Sequence, residues 1–89
     1  MTLRIEKKSR DGVTVLKLIG QIRSDDLGEL RTHVNGGDPV VLDLDELTLV
    51  DAAVVRFLGA YEGGGVELLN CAPYIREWIR REKEREQEN

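Results

Sequence analysis

The sequence is poor in the residues that build most active sites. Its 89 residues include one cysteine, one histidine and four aromatic residues. A single Cys71 cannot form a disulfide within the chain, and His33 has no sequence-evident Ser, Cys or metal-ligand partner with which to form a site. We therefore expect structural roles for both side chains, and a protein that is not an enzyme and holds no cofactor or metal.

Long hydrophobic runs and a surplus of positive charge are also absent. The longest apolar runs, at residues 52–55 and 40–42, fall far short of the roughly 20 residues that a helix needs to cross a bilayer, and nothing resembles a secretory leader. Lysine and arginine total 13 against 17 aspartates and glutamates, a net charge of −4, whereas binding to nucleic acid needs a basic face. We expect a cytoplasmic protein with no direct membrane insertion and no nucleic-acid partner.

What is present fits one small domain over residues 1–89. A chain of this length buries only about 60–65% of the surface that it exposes when unfolded, so little remains to line a deep substrate pocket. Residues 80–89 are polar and balance four cationic against four anionic side chains. We expect a solvated helical extension there, supported by ion pairs between neighbouring turns: Glu77 with Arg81, Glu82 with Arg85, and Lys83 with Glu86.

Two strands joined by a tight turn open the chain. Residues 2–8 alternate between apolar and polar side chains, which predicts an edge strand with one solvated face. Asp11 and Gly12 supply the residues with positive φ that a two-residue hairpin turn needs. Residues 13–19 place apolar side chains on both faces, which predicts a central strand buried on both sides.

Three helices are indicated by their capping residues. Ser24 precedes two acidic residues and an apolar repeat of helical spacing, so we expect it to cap a first helix. Asp51 is the expected N-cap of a second helix over residues 52–62. Pro73 suits the first turn of a third helix.

Two further strands are predicted at residues 40–44 and 66–71, with residues 45–50 as a connection. The glycines at 36–37 and 63–65 follow helices, so we expect them to end helices rather than to bind phosphate. The resulting order, ββαβαβα, predicts an α/β fold in which a mixed four-stranded sheet packs against helices. A β-hairpin is followed by a βαβαβ unit with parallel strands.

Four carboxylates cluster after the predicted third strand, where open α/β sheets often bind ligands: Asp43, Asp45, Glu46 and Asp51. Asp43 and Asp45 are expected on one strand face, an arrangement that would suit Mg²⁺ or a phosphoacceptor aspartate. A receiver-type fold, however, needs one or two more βα units than this chain provides. We expect capping and loop hydrogen bonds from these carboxylates, and keep a small-ligand or metal sensor using Asp43, Asp45 and Asp51 as an alternative.

Three segments together resemble the STAS domain, the fold of bacterial anti-sigma factor antagonists and of the cytoplasmic domains of sulfate transporters. They are Leu-Ile-Gly-Gln-Ile at residues 18–22, the run at residues 40–51 leading into a helix, and residues 64–73 before the last helix. The resemblance covers nearly the whole chain without large insertions. It implies a bacterial protein that regulates transcription by binding other proteins.

The chain departs from the regulated antagonists at the residues that carry their switch. In that family the helix after the third strand opens with Asp-Ser-Ser/Thr-Gly-Leu, and an anti-sigma kinase phosphorylates the hydroxyl residue after the aspartate. The matching residues here are Asp51, Ala52, Ala53, Val54 and Val55. Ala52 and Ala53 have no oxygen to accept a phosphoryl group. Because phosphorylation adds about two negative charges to a recognition surface, the resemblance implies a surface held in its unmodified state.

Two further departures change the same edge. Val54 replaces the glycine that lets a partner approach, and Arg23 stands where the antagonists commonly carry an aspartate. We therefore predict a STAS-like interaction module that is kinase-independent and binds an anti-sigma factor-like protein. The alternative in this class is a STAS subunit of a lipid-type ABC transporter, which would bind another transporter subunit. The predicted partner-binding surface comprises Gln21, Arg23, Ser24, Asp51, Ala52, Ala53, Val54, Val55 and Arg56; an apolar patch at Val54, Val55 and Phe57 also leaves a homodimer open.

Overall fold

A computed structural model describes residues 3–35 and 39–87. It contains five strands and three α-helices in these ranges, which are β1 Leu3–Arg10, β2 Val13–Ile22, α1 Leu27–Val34, β3 Val40–Asp43, β4 Leu47–Val50, α2 Ala52–Gly63, β5 Glu67–Leu69 and α3 Pro73–Gln87. A short 3₁₀ turn, Ser24–Asp26, leads into α1. The prediction that Ser24 caps the first helix is wrong, because Ser24 lies inside this turn and Asp26 is the N-cap of α1. The predicted α/β fold is confirmed. The predicted helix end at residues 36–37 lies outside the described residues.

The sheet is organised around β2. Asp11 and Gly12, with φ of 53° and 81°, form the predicted turn between β1 and β2, which pair antiparallel. On its other side β2 pairs in parallel with both β3 and β4, and β5 pairs in parallel with β3. β1 therefore forms one edge of the sheet and β2 is central, as the sequence predicted.

β3 and β4 are two halves of one interrupted strand that runs beside β2. Between them the chain turns: the backbone N–H of Asp45 donates to Asp43 Oδ1 at 3.1 Å, and the N–H of Leu47 donates to the carbonyl of Leu44 at 3.1 Å. The connection predicted at residues 45–50 thus contains a strand. Asp45 lies in the turn, so the prediction that it shares a strand face with Asp43 is wrong.

A β-bulge explains why the sequence pattern does not predict β4. Leu47 and Val50 are buried while the two residues between them, Thr48 and Leu49, are exposed. The pairing with β2 shifts register after Gly20. Because a bulge places two residues opposite one, it breaks the alternation by which a strand is recognised.

One face of the sheet holds the core. Leu16, Leu18 and Leu42 are fully buried, and they form a single cluster with the buried side chains of all three helices. The opposite face carries no helix within the ranges described. Val15 and Ile19 on that face are only partly buried. The prediction that β2 is buried on both sides is therefore wrong: the second face is apolar but remains solvent-accessible.

Ion pairs lie on this open face. Lys17 Nζ lies 2.8 Å from a carboxylate oxygen of Glu46. The hydrogen bond and the negative charge of Glu46 raise the pKa of the Lys17 amine. Arg4 and Glu6 on β1 form a second pair at 3.1 Å. Charged side chains thus share this face with the partly exposed apolar residues of β2.

α3 also contacts α2 through charged residues that follow the apolar residues of α3. Glu82 is 8% exposed, and its carboxylate lies 3.4 Å from Arg56 Nη1 on α2 and 3.7 Å from Arg85 Nη1. The predicted pairs of Arg85 with Glu82 and of Arg81 with Glu77, at 3.1 Å, are confirmed. The expectation of a wholly solvated extension is wrong at Glu82, because Arg56 gives its charge a partner at the helix interface.

The pair predicted between Lys83 and Glu86 involves a side chain, that of Glu86, outside those described. Lys83 Nζ instead lies 3.7 Å from a carboxylate oxygen of Glu62 on α2. Lys83 therefore adds a second ionic contact between the two helices.

A glycine allows the close approach of α2 and α3. A Cβ on Gly59 would lie 3.3 Å from Ile79 Cγ2, whereas a Cβ on Gly28 of α1 would meet nothing within 4 Å. We expect Gly59→Leu to lower the free energy of unfolding by about 1–3 kcal/mol through overpacking. The matched control, Gly28→Leu, should leave stability unchanged or raise it by about 0.5 kcal/mol, because leucine favours helix over glycine. Urea denaturation measures both, and an unchanged Gly59→Leu midpoint would contradict this packing.

Candidate functional site

The predicted partner surface is assembled at the ends of two adjacent parallel strands. Ile22 at the end of β2 lies beside Val50 at the end of β4. The loop at Arg23 and Ser24 follows the first strand, and Asp51 with α2 follows the second. Since parallel strands end at the same edge of a sheet, this loop and the start of α2 are brought together.

Asp51 binds both parts of this surface with one carboxylate. Its Oδ1 accepts the backbone N–H of Val54 at 3.0 Å, which confirms Asp51 as the N-cap of α2. Its Oδ2 accepts the backbone N–H of Ser24 at 3.0 Å. The negative charge also lies at the positive end of the α2 dipole. The carboxylate therefore fixes the loop after β2 against the first turn of α2.

Gly20 shapes the strand that leads to this loop. Its φ is +96°, a conformation that residues with a Cβ rarely adopt. Its carbonyl accepts the hydroxyl of Thr48 at 2.9 Å, and its N–H donates to the carbonyl of Glu46 at 3.1 Å. These contacts hold β4 against β2 at the bulge, directly before the site.

The predicted surface residues divide by exposure. Arg23, Ser24 and Arg56 are exposed, and Gln21, Asp51, Ala52 and Ala53 are partly exposed. Arg56 is also tied to α3 through Glu82. The exposed groups nearest the Asp51 cap are therefore Arg23 and Ser24, with the methyl groups of Ala52 and Ala53 beside them in the first turn of α2.

Two members of the predicted surface are not on the surface. Val54 and Val55 are 0% exposed, and Phe57 is 5% exposed. These side chains lie on the inner face of α2 and belong to the core. Placing Val54 and Val55 on a partner-binding surface was wrong, and no homodimer patch is formed by Val54, Val55 and Phe57. Val54, at the position where the STAS resemblance implies a glycine, adds a side chain to the core.

Two exposed apolar side chains near the site were missed in the sequence. Leu49 on β4 is 50% exposed and Tyr74 at the start of α3 is 52% exposed. The Tyr74 hydroxyl donates to the carbonyl of Thr48 at 3.5 Å, which places it beside β4. The sequence pattern did not indicate an exposed Leu49, because we predicted residues 45–50 as a connection and not as a strand.

The acidic cluster is used for turns and caps. Asp43 Oδ1 accepts the N–H of Asp45 and, at 3.0 Å, the side-chain amide of Asn70. Asp51 is engaged at the start of α2. Within residues 3–35 and 39–87, no three His, Cys, Asp or Glu side chains form a group that could hold a metal ion. Asp43 and Asp51 thus make the loop and capping hydrogen bonds expected of them, whereas Asp45 takes part through its backbone N–H and the Glu46 carboxylate pairs with Lys17.

The cysteine has little nucleophilic character. Cys71 is partly buried after β5, and this burial raises the pKa of its thiol. A raised pKa reduces the thiolate that would be the reactive form at neutral pH.

In the described part of the chain, no helix is both long and apolar enough to cross a membrane.

Comparison with known proteins shows the fold. No family model matches the chain, and no curated protein matches its sequence. Among solved structures, the chain is similar to the anti-sigma factor antagonist SpoIIAA in its unphosphorylated form, with a TM-score of 0.63 and 20% identity over 89% of this chain and 82% of that one. An uncharacterized protein with a SpoIIAA-like fold from Shewanella loihica matches with a TM-score of 0.44 and 17% identity over 99% of this chain and 80% of that one. The chain thus has the STAS-like fold that the sequence predicted.

Replacing the Asp51 carboxylate tests its double role. Asp51→Ala removes the acceptors for Val54 and Ser24, and we expect it to lower the free energy of unfolding by about 2 kcal/mol. Asp51→Asn keeps one carbonyl oxygen for the cap but loses the second acceptor, so its loss should be smaller. Urea denaturation gives the stabilities. Hydrogen exchange should be faster at both amides in Asp51→Ala and at Ser24 alone in Asp51→Asn; unchanged exchange at Ser24 would contradict the link between loop and helix.

Proposed function

We propose that this STAS-like chain is a non-catalytic protein–protein interaction module of the anti-sigma factor antagonist type, with a binding surface that phosphorylation does not switch. The surface consists of the loop after β2 and the first turn of α2. The observation that carries the proposal is the Asp51 carboxylate, which holds these two parts together while the next two positions bear only methyl groups. Its exposed and partly exposed members are Gln21, Arg23, Ser24, Asp51, Ala52, Ala53 and Arg56.

The proposal is supported by what a phosphoryl group would change at this place. A phosphate on residue 52 would add about two negative charges next to the Asp51 carboxylate. It would weaken the arrangement of Asp51 with Ser24 by repulsion and alter the surface that a partner meets. Ala52 offers no such site, so the geometry fixed by Asp51 is the one state presented to a partner.

The small-ligand alternative has less support. Its three carboxylates serve different local structures, since Asp43 binds the turn at Asp45 while Asp51 caps α2. Among the residues described they form no converging set of ligands. A protein surface shaped by a loop and a helix start agrees better with these contacts than a chelating site does.

Restoring the hydroxyl tests whether the surface is of the antagonist type. On incubation with the anti-sigma factor kinases of the native host and ATP, the wild-type chain should take up no phosphate. Ala52→Ser should be phosphorylated. The matched control, Ala53→Ser, carries its hydroxyl one position along α2 and should not be phosphorylated. Intact-mass spectrometry measures the product.

Two outcomes of this experiment would count against the proposal. Stoichiometric phosphate on the wild-type chain would mean that another hydroxyl acts as a switch. An Ala52→Ser variant that stays unmodified by every such kinase would mean that these enzymes do not recognise the surface.

A charge reversal tests the surface itself. The Arg23 side chain is exposed, and its residue contacts the adjacent turn through its backbone N–H, which donates to Asp26 Oδ2 at 2.9 Å. In affinity purification from the native host, we expect an anti-sigma factor with the wild-type chain and about tenfold less of it with Arg23→Glu, equivalent to about 1.4 kcal/mol. Arg31→Glu, an equal charge change on α1, should retain the partner.

The identity of the recovered protein separates the two partner classes. Recovery of a permease or ATPase in place of an anti-sigma factor would assign the transporter role. Equal recovery of an anti-sigma factor by Arg23→Glu and the wild-type chain would place the binding surface elsewhere.

A further inference from the structure

The outer edge of β1 is a long row of backbone groups without a neighbouring strand. β1 spans eight residues, roughly 27 Å, and within the described ranges it pairs with β2 alone. Arg10 lies opposite Val13 across the two-residue turn, and the pair that flanks such a turn exchanges both hydrogen bonds. Since bonded and non-bonded pairs then alternate, the residues whose backbone groups point away from β2 are Leu3, Ile5, Lys7 and Ser9.

This edge is strongly basic in an acidic protein. It carries four cationic side chains and one anionic side chain, a net charge of +3 in a chain whose total is −4. The side chain of Arg4 is 73% exposed even though it pairs with Glu6. The cations of the edge are Arg4, Lys7, Lys8 and Arg10.

The two faces of the edge differ in chemistry. From their partners on β2, Arg4, Lys8 and Arg10 lie on the open face of the sheet, together with Glu6, which pairs with Arg4. The other face carries Leu3 and Ile5, partly buried against the core, followed by the exposed Lys7 and Ser9. A strand added beside β1 would extend both faces, so a matching strand has acidic side chains on one face and apolar side chains on the other.

A second copy of this chain does not match the edge. Pairing of β1 with another β1 would bring clusters of lysine and arginine together, and like charges across strands are destabilising. Cationic side chains are a known means by which edge strands avoid pairing with themselves. The same charges attract an extended segment of opposite sign.

We propose that the outer edge of β1 binds an extended acidic segment of a partner protein, which adds to the sheet as a further strand. Backbone hydrogen bonds to Ile5, Lys7 and Ser9 supply the pairing, and Arg4, Lys8 and Arg10 select for carboxylates. This binding uses a different element from the surface at Asp51, and it requires neither an anti-sigma factor nor the absence of phosphorylation.

The test uses a synthetic octapeptide of alternating glutamate and valine, with an octapeptide of alternating lysine and valine as its control. Hydrogen exchange followed by NMR reads each amide of the full chain. On addition of the acidic peptide, exchange should slow at least about tenfold at Ile5, Lys7 and Ser9. It should stay unchanged at Glu6 and at the other residues already bonded to β2.

Charge variants test the selectivity of the edge. Measured by fluorescence anisotropy of the labelled acidic peptide, Lys8→Glu should weaken binding by about tenfold, equivalent to about 1.4 kcal/mol. Arg85→Glu makes the same charge change on α3 and should leave the affinity unchanged. Binding should also weaken as salt is raised, because these charges are exposed.

Several results would overturn the proposal. One is equal binding of the acidic and basic peptides; another is acidic-peptide binding without slower exchange at the outward amides, which would mean charge attraction alone. A single-stranded oligonucleotide that binds β1 as tightly as the peptide would indicate a general polyanion site. Slow exchange at the outward amides in the free chain, together with a dimer in sedimentation, would show that a second copy occupies the edge.

Discussion

The burial of one face of β2 is the constraint on which the rest of this structure depends. Leu16 and Leu18 have no exposed surface, and the strands on both sides of β2 continue the same buried face toward the helices. In a chain of 89 residues this single core must absorb the apolar faces of all three helices. The apolar residues of the opposite face, such as Val15 and Ile19, are therefore only partly buried and share that face with ion pairs such as Lys17 with Glu46.

Much of this arrangement could be predicted from short-range sequence signals. The turn at Asp11, the cap at Asp51 and the order of strands and helices each follow from a few neighbouring residues. Two errors arose where the decisive contact is distant in the sequence. β4 pairs with β2 through a bulge next to Gly20, and Gly20 lies 27 residues before Leu47 in the sequence. The burial of Glu82 depends on Arg56 in another helix, which a count of polar residues does not reveal.

The candidate site was predicted less well than the fold because exposure depends on how a helix is rotated. The sequence pattern placed Asp51, Ala52 and Ala53 at the start of a helix, and they lie at the start of α2. Val54 and Val55 follow immediately but lie on the inner face. A residue two positions along a helix points about 200° away, so nearness in sequence did not place these valines on the surface.

The structural role of Asp51 does not require a hydroxyl at the next position. Capping α2 and binding the Ser24 amide need only the two carboxylate oxygens, and neither bond involves a residue 52 side chain. The contact between the loop and α2 therefore needs no hydroxyl at residue 52, whereas removal of the Asp51 carboxylate would break it. In this chain the shape of the segment around Asp51 is therefore set by the two oxygens of one carboxylate and by no group on residue 52.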